Sequence, residues 1–298
     1  MKLVTTDAAT MVHCVRIVAT DGTTFRFVSY PHDLTMSNGE VYQSDLGYEP
    51  TDIQVGTTPA GAPIFDLAGL LATNGITLDQ LTSRKLDNAR VYYFVTSWAN
   101  PVEDEEEILL AFLGKATIQD ERYKIEMMSI ADALNQSVGR SFTPACPWTL
   151  FDATLDGDTI PYQRSRCTGP RSAPDGPVLA DYKETGTLTG VTSQTKFADS
   201  ARAEAAGYFD YGFIKFTSGN NAGLPSLPIK KHTAGGNFEL YLPLHYTPVA
   251  GDAYEMIPGC NKKKTGGDCV TKYSNAINFG GFEDMAPPEA YKEFGGPQ

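Results

Sequence analysis

Cysteines are the residues of this chain whose type and spacing could do chemistry: Cys14, Cys146, Cys167, Cys260 and Cys269. Cys14 falls in an alternating strand pattern, which predicts a small buried hydrophobe. The other four lie in the second half, in or next to loop-like sequence, and form two pairs. Four loop-borne thiols in two pairs predict a four-cysteine site that holds either structural zinc or an iron–sulfur cluster.

The spacing leaves the kind of site open. Eight residues separate Cys260 from Cys269 and twenty separate Cys146 from Cys167, whereas zinc ribbons pair cysteines two to four residues apart. Free thiols, or two disulfides formed after release from the cell, are the alternative to any metal. The start of the chain lacks an apolar signal region, so we expect folding in a reducing cytoplasm, where clustered cysteines favour a metal.

Basic residues and glycines accompany the four cysteines. We expect the cations to offset the negative charge of a thiolate-ligated cluster and to depress the thiol pKa values; they are Arg164, Arg166, Lys262, Lys263 and Lys264. Three glycines should let backbone N–H groups approach the sulfurs; they are Gly259, Gly266 and Gly267. Nearby, Phe279 and Phe282 are expected to give apolar cover, and Asn275 and Asn278 to bind backbone groups.

The first half of the chain reads mainly as β-strands that are joined by tight turns. Asp21-Gly22 predicts a hairpin within 13–30, and Asn38-Gly39 predicts a second turn. Residues 89–98 form a strand pattern, and 106–132 predict two long strands joined near Asp120-Glu121. Short helices are predicted over 66–75, over 77–86 with a cap at Thr77, and over 129–136.

The character of the sequence changes near residue 140. Residues 141–177 are rich in Pro, Gly and Asp and have no clear periodicity, so they predict a long irregular segment. Strand patterns return at 186–194, 212–219, 237–244 and 252–257, and 286–298 are expected to be extended. The sequence thus predicts two domains, 1–139 and 140–298, of mainly β structure with short helices.

Charge and motifs exclude several classes of function. The net charge of −12 argues against general nucleic-acid binding and against adhesion to anionic membranes, and the longest apolar run, 108–114, is too short to span a bilayer. The acidic run 102–108 predicts a solvated loop, with cation binding as the alternative. The four histidines are scattered, and no P-loop, G-x-S-x-G or H-E-x-x-H motif is present, so we predict that the protein is not an enzyme.

Several stretches, in order along the whole chain, resemble a known family. They are "CVRIVATDGTTFRFVSYPHDLTMSNGEVYQS", "ARVYYFVTSWANP", "LNQSVGRSFTPAC", "GYFDYGFIKFTSGNNAGL" and "AGDAYEMIPGCNKKKTGGDCVTKYSNAINFGGF". They are similar to motifs of the hub, or tail-tip, proteins of long-tailed siphophages and of gene transfer agents. The closing stretch, with its two cysteines and its N-F-x-G-F ending, is the most specific of them.

The resemblance implies a fold and a cofactor. The fold would be mostly β, with β-barrel-like hub domains and an irregular, cysteine-clamped C-terminal domain that together form a trimeric ring. Some members bind a 4Fe–4S cluster, whose ligands here would be Cys146, Cys167, Cys260 and Cys269, with Cys14 outside the set. Twenty residues separate the first two of these cysteines, where the family has a shorter spacing.

The resemblance also implies a role: a structural virion protein, the baseplate hub, assembled in the bacterial host cytoplasm and stabilised by the cluster. Its expected partners are further copies of itself, the distal tail protein and the central fibre or receptor-binding protein, with the tape measure protein a further candidate. The alternatives are a zinc-stapled binding module and an iron–sulfur enzyme. The enzyme would need a second cofactor or substrate motif, which the sequence does not show.

Overall fold

The computed structural model describes residues 10–44, 49–50, 66–70, 75–120, 122–129, 142–157, 166–170 and 172–285. The chain divides into two compact units, Met1–Val138 and Gly139–Gln298. Each unit is built on one seven-stranded antiparallel sheet, curled into a half-barrel. The predicted fold class, mainly β with short helices and barrel-like sheets, is therefore confirmed.

The first unit contains nine strands and one short helix in its described residues. They are β1 (Met11–Val18), β2 (Thr24–Val28), β3 (Leu34–Thr35), β4 (Val41–Tyr42), β5 (Glu49–Pro50), β6 (Asp66–Leu70), α1 (Leu78–Thr82), β7 (Arg90–Ser97), β8 (Glu106–Gln119) and β9 (Arg122–Ser129). The main sheet has the order β2-β1-β7-β8-β9-β6-β5, and β3 pairs with β4 alone.

Most local predictions for the first unit are confirmed. Gly22 and Gly39 take left-handed φ values of 88° in the two predicted turns, where a side chain would be strained. Helix α1 starts after Thr77, whose side chain forms a capping box with Gln80, so both backbone donors at that end are satisfied. The strands meet at Asp120 as predicted.

The helix predicted over 66–75 is wrong in its described part. Asp66–Leu70 forms β6, which pairs antiparallel with β9 over five residues. The hydrogen bonds offered by a neighbouring long strand outweigh the weak helix propensity of this short segment. Ser129 closes β9, and the rest of the helix predicted over 129–136 lies outside the described residues.

The second unit contains seven strands and short helical turns in its described residues. The strands are β10 (Glu184–Thr187), β11 (Gly190–Val191), β12 (Lys196–Ala198), β13 (Phe213–Phe216), β14 (Leu227–Thr233), β15 (Asn237–Leu240) and β16 (Ala253–Ile257). The helices are α2 (Leu179–Tyr182) and α3 (Asp268–Thr271), with 3-10 turns at Arg166–Thr168 and Ala276–Asn278. The strand order is β10-β16-β13-β14-β15-β12-β11.

The irregular segment is confirmed where the structure describes it. The 3-10 turn Arg166–Thr168 is the only helix or strand within its described residues, 142–157, 166–170 and 172–177. Strands β12 and β14 were not predicted, because one is three residues long and the other contains a proline and two lysines. The tail predicted to be extended, 286–298, lies outside the described residues.

Hydrophobic packing places the cysteine-bearing segments of the second unit. The main core lies on the sheet and is rich in aromatic side chains such as Phe216 and Phe238. A smaller cluster joins Phe151 and Leu155 of the irregular segment to Ile257 and Tyr273. Because Ile257 ends β16, this cluster fixes the irregular segment beside the point where the chain leaves the sheet towards Cys260. No helix in the described residues is long and apolar enough to cross a membrane.

Candidate metal centre

The four cysteines of the second unit line one cavity. Cys146 and Cys167 precede the sheet in the sequence and Cys260 and Cys269 follow it, yet all four line the same small cavity, whose volume is about 10 Å³. The remaining lining residues are Trp148, Leu150, Lys262, Tyr273, Asn275 and Asn278. The fold therefore brings together all four cysteines that the sequence analysis identified. The aromatic and apolar side chains beside them are those of Trp148, Leu150 and Tyr273.

Cys14 is separate from this group. It lies in β1 of the first unit, is fully buried and packs with Tyr42 and Phe94. Burial raises the pKa of its thiol to about 12, because a thiolate is poorly solvated among apolar side chains. The prediction that Cys14 is a buried hydrophobe is confirmed.

A closed loop positions Cys260 and Cys269. Asn261 donates its backbone N–H to the Asp268 carboxylate at 2.8 Å, and the Asp268 N–H donates to the side-chain oxygen of Asn261 at 3.1 Å. This reciprocal pair holds the two ends of the lysine-rich stretch together. Cys269 then enters α3 and is 7% exposed.

Lys262 ties Cys146 to that loop. The Cys146 N–H donates to the Lys262 carbonyl at 2.9 Å, and the Lys262 ammonium donates to the carbonyl of Trp148. A Cβ on Gly280 would lie 2.0 Å from the indole nitrogen of Trp148, so only glycine allows the closing segment to pack on this ring. Backbone contacts thus hold Cys146 beside Cys260.

Within the described part of the chain, three hydrogen bonds involve the sulfurs of these cysteines. The Lys262 N–H donates to Cys260 Sγ at 3.4 Å, and Asn275 Nδ2 donates to Cys167 Sγ at 3.2 Å. The Cys269 thiol donates to the Asn275 carbonyl at 3.2 Å. The N–H of Gly267, which was expected to approach a sulfur, donates to the Lys264 carbonyl instead. The donors to sulfur are therefore a left-handed lysine backbone, with φ of 62°, and an amide side chain.

The pKa values of Cys167, Cys260 and Cys269 are raised, contrary to the prediction that nearby cations would depress them. Burial, with smaller contributions from the other cysteines, raises the pKa of Cys167 and of Cys269 to about 11 in each case. Burial also raises the pKa of Cys260, although the N–H and charge of Lys262 oppose this. Burial thus favours the protonated form of Cys167, Cys260 and Cys269, and metal binding to them would release protons.

Other candidate residues have structural surroundings. The acidic run is not simply a solvated loop, because Glu103 accepts from the Tyr42 hydroxyl at 2.7 Å and from Asn38 at 2.6 Å. Arg16 pairs with Asp104 in the same loop. The Nδ1 atom of His13 forms a hydrogen bond with the Tyr93 hydroxyl at 2.8 Å.

The two asparagines of the closing stretch have more specific partners than the sequence predicted. Asn275 does bind a backbone group, the Cys167 carbonyl at 2.7 Å, but it also contacts the sulfur. Asn278 binds side chains, Asn275 and Asp175. Phe282 is 39% exposed and pairs with Phe142, while the apolar cover of the cavity comes from Trp148 and its neighbours.

Comparisons with known proteins cover both units. Residues 1–154 match the family model described as the baseplate hub protein, N-terminal attachment domain. Residues 207–289, which include Cys260 and Cys269, match the model of the phage conserved hypothetical protein BR0599. No curated protein matches the chain.

A solved structure supports the same fold. It is a chain of the virion of a native gene transfer agent particle, with a TM-score of 0.76 and 23% sequence identity. The match covers 96% of this chain and 91% of that chain, so the likeness extends over both sheets.

Proposed function

Because the chain belongs to the baseplate hub protein family through its N-terminal attachment domain, we propose that it is the tail-tip hub of a phage-like particle. The role is structural, and the location is the virion tail. The hub would connect the distal tail ring to the central fibre or receptor-binding assembly. The family match over residues 1–154, half of the chain, is the observation that carries this proposal.

The partners follow from that role. We expect copies of the chain to form a homotrimer that contacts the distal tail protein, the central fibre protein and, as a further candidate, the tape measure protein. Large apolar side chains on the surface of each unit are compatible with several interfaces. Examples are Trp98 and Met128 in the first unit, 42% and 46% exposed, and Phe142 and Ile277 in the second, 63% and 82% exposed.

We further propose that Cys146, Cys167, Cys260 and Cys269 hold a 4Fe–4S cluster. Within the described residues, no group of three or more His, Cys, Asp or Glu side chains is close enough to hold a single metal ion. Four thiolates on one zinc would lie roughly 3.8 Å apart, given Zn–S bonds of about 2.3 Å. A cluster holds its thiolates farther apart than one zinc ion does, because iron and sulfide lie between them. Four cysteines that line one cavity without forming a single-ion site therefore fit a cluster better than they fit zinc.

The surroundings of the thiols also suit this assignment. Trp148, Leu150 and Tyr273 line the cavity, and two N–H groups donate to sulfurs, an arrangement that stabilises thiolate ligands. When bound, the cluster would supply four iron–thiolate bonds that cross-link the irregular segment to the closing segment. The chain itself holds the thiols near one another through the Lys262 and Asn261 contacts.

Particle composition and metal content test the two proposals separately. Mass spectrometry of purified particles should find the chain at a few copies per particle, and particles made without it should lack a tail tip. A chain absent from particles would overturn the hub. Anaerobically purified protein should contain about four irons and four sulfides per chain, as a cubane cluster requires; one zinc per chain and no iron would keep the hub but replace the cluster.

A further inference from the structure

The buried amide of Asn275 lies at the wall of the cysteine cavity, and we propose that it is a positioning residue that sets the reduction potential of the centre through Cys167. The inference rests on the cluster proposed above, and it concerns a side chain that is not itself a ligand. The side chain's contacts, its fixed orientation and its position between two cysteines support it.

The Asn275 amide nitrogen contacts one cysteine at two atoms. The residue is 3% exposed, and its Nδ2 lies 2.7 Å from the Cys167 carbonyl oxygen and 3.2 Å from Cys167 Sγ. An amide nitrogen has two N–H donors, enough to supply both the contact with the Cys167 carbonyl and the contact with its sulfur.

A second amide fixes the orientation of the first. Asn278 Nδ2 donates to Asn275 Oδ1 at 2.7 Å and to Asp175 Oδ1 at 2.8 Å. If the Asn275 amide rotated by half a turn, its oxygen would face the oxygen and sulfur of Cys167, and its N–H groups would face those of Asn278. Both contacts would be repulsive, so the orientation with N–H towards sulfur is the favoured one.

The hydrogen-bonded side chains of Asn275, Asn278 and Asp175 lead back to the turn that carries Cys167. The backbone N–H groups of Asp175 and Gly176 both donate to the carbonyl of Thr168, at 3.1 and 3.0 Å. Asp175, Asn278 and Asn275 therefore form a ring of contacts that begins and ends beside Cys167. The same Asn275 accepts from Cys269 through its backbone carbonyl, so it lies between two of the four proposed ligands.

The direction of the effect follows from charge. A hydrogen bond to a ligand sulfur stabilises the more negative, reduced form of a cluster more than the oxidised form, and hydrogen bonds to the sulfurs are among the factors that set cluster potentials. Removing the Asn275 donor should therefore make the midpoint potential more negative. The Lys262 donor to Cys260 is a backbone N–H, so Asn275 is the one of the two that a substitution can remove.

The test compares three single substitutions in the full chain, with the midpoint potential measured by anaerobic spectroelectrochemistry. Asn275→Ala should shift the potential to a more negative value, and Asn278→Ala should shift it in the same direction by less. Asn221→Ala is the matched control, because Asn221 is a buried amide of the same unit, 1% exposed, that bonds the backbone of Tyr246 in both directions. It should lower thermal stability and leave the potential unchanged.

The outcomes separate the inference from the cluster itself. An Asn275→Ala protein that keeps its iron and its wild-type potential would overturn the role of Asn275 while the cluster stands. If that variant fails to retain iron, the Asn278→Ala potential decides, and an unchanged value overturns the inference. If wild-type protein carries zinc or no metal, the proposed cluster fails first and the inference falls with it.

Discussion

The two units share a sheet architecture but differ in how their chains are held. In the first, β8 is 14 residues long and β1, β7 and β9 are 8 each. In the second, the longest strand, β14, has 7 residues and β11 has 2. Long strands satisfy the hydrogen-bonding needs of their backbone N–H and C=O groups by pairing with their neighbours. In the described part of the second unit, much of the chain lies outside the sheet, and its backbone groups need other partners.

The same difference appears in their polar clusters. The first unit fixes its acidic loop with arginine, tyrosine and asparagine side chains around Glu103. The second unit fixes its irregular segment with an aromatic cluster and a cavity lined by thiols. In the first unit these contacts are side-chain pairs of the protein itself, whereas in the second unit the thiols are the ligands of the proposed cluster.

The largest expected effect is loss of that centre. Cys269→Ser should lose most of the bound iron and the amide-exchange protection of 142–157 and 258–285, while β1, β7 and β8 keep theirs. A structural metal can supply on the order of 10 kcal/mol to folding. Hydrogen exchange with mass spectrometry measures both regions at once. Cys14→Ala, the matched control, should retain iron, and equal loss of protection in both units would contradict the comparison.

The next effect concerns the aromatic cluster that supports the irregular segment. Phe151 is fully buried and packs edge-to-face on Tyr273, at 5.8 Å between ring centroids. Phe151→Ala should cost about 3–5 kcal/mol of unfolding free energy, measured by urea denaturation of the iron-loaded protein. Phe142→Ala, at a 63% exposed ring, is the control and should change the free energy little. Similar losses in both variants would show that this cluster does not anchor the segment.

A smaller effect is expected in the first unit at Glu103. Burial alone would raise the pKa of this carboxyl, but hydrogen bonds from Tyr42 and Asn38 and the charge of Arg16 outweigh it and hold the pKa below its ordinary value of 4.5. Glu103→Gln should cost roughly 1.5–3 kcal/mol at pH 7, the range for hydrogen bonds to charged groups. Denaturant unfolding at several pH values measures it.

The pH dependence gives this prediction its sign. A depressed carboxyl pKa contributes stability above pH 4.5, and that contribution is lost as pH falls through the lower folded-state value. Wild type and Glu103→Gln should therefore converge in stability under strongly acidic conditions. The control is Glu107→Gln at an exposed position, which should have the same unfolding free energy as wild type. A difference in unfolding free energy between wild type and Glu103→Gln that persists in acid would refute the assignment.

The smallest effect is expected at His232 in the second unit. This histidine is 1% exposed and stacks on Phe238. Burial lowers its pKa below the ordinary 6.5, against the attraction of Glu204 and Asp210. The free energy of unfolding should therefore not depend on His232 above pH 6.5. It should decrease as the pH falls below that value, because His232 binds a proton more readily in the unfolded chain than in the folded one.

Replacing that ring tests the decline. His232→Phe cannot be protonated, so it should remove this part of the acid sensitivity, worth about 1.4 kcal/mol for each unit by which the pKa is lowered. Thermal unfolding between pH 7.5 and 5, in roughly half-unit steps, measures it. The exposed His32 provides the control variant His32→Gln. An unaltered pH profile in His232→Phe would assign the sensitivity to other groups.

The sequence predicted features that depend on local chemistry. Asp21-Gly22 and Asn38-Gly39 have the turn residues that hairpins need, and Thr77 with Gln80 has the spacing of a capping box. It also indicated the four cysteines that line one cavity, because clustered thiols in loops are otherwise hard to explain. The proposed cluster ligation and the trimer stay predictions.

Features that depend on distant partners could not be predicted in the same way. Residues 66–70 became a strand because β9 pairs with them, which their own propensity does not reveal. The Asn275 contact with Cys167 joins residues 108 positions apart. The raised pKa values of Cys167, Cys260 and Cys269 follow from their burial in the folded cavity. The sequence does not show this burial, and its basic residues beside the cysteines predicted the opposite shift.

The placement of the cysteines has a consequence for protein synthesis. All seven strands of the second sheet lie between Cys167 and Cys260. A ribosome that has translated as far as Ile257 has therefore delivered every strand of that sheet but only two of the four thiols around the cavity. The early pair, Cys146 and Cys167, therefore cannot complete the site until Cys260 and Cys269 have been translated. Completion of the site thus requires translation past Cys269, and a chain interrupted before that residue would contain every strand of the sheet but lack a wall of the cavity.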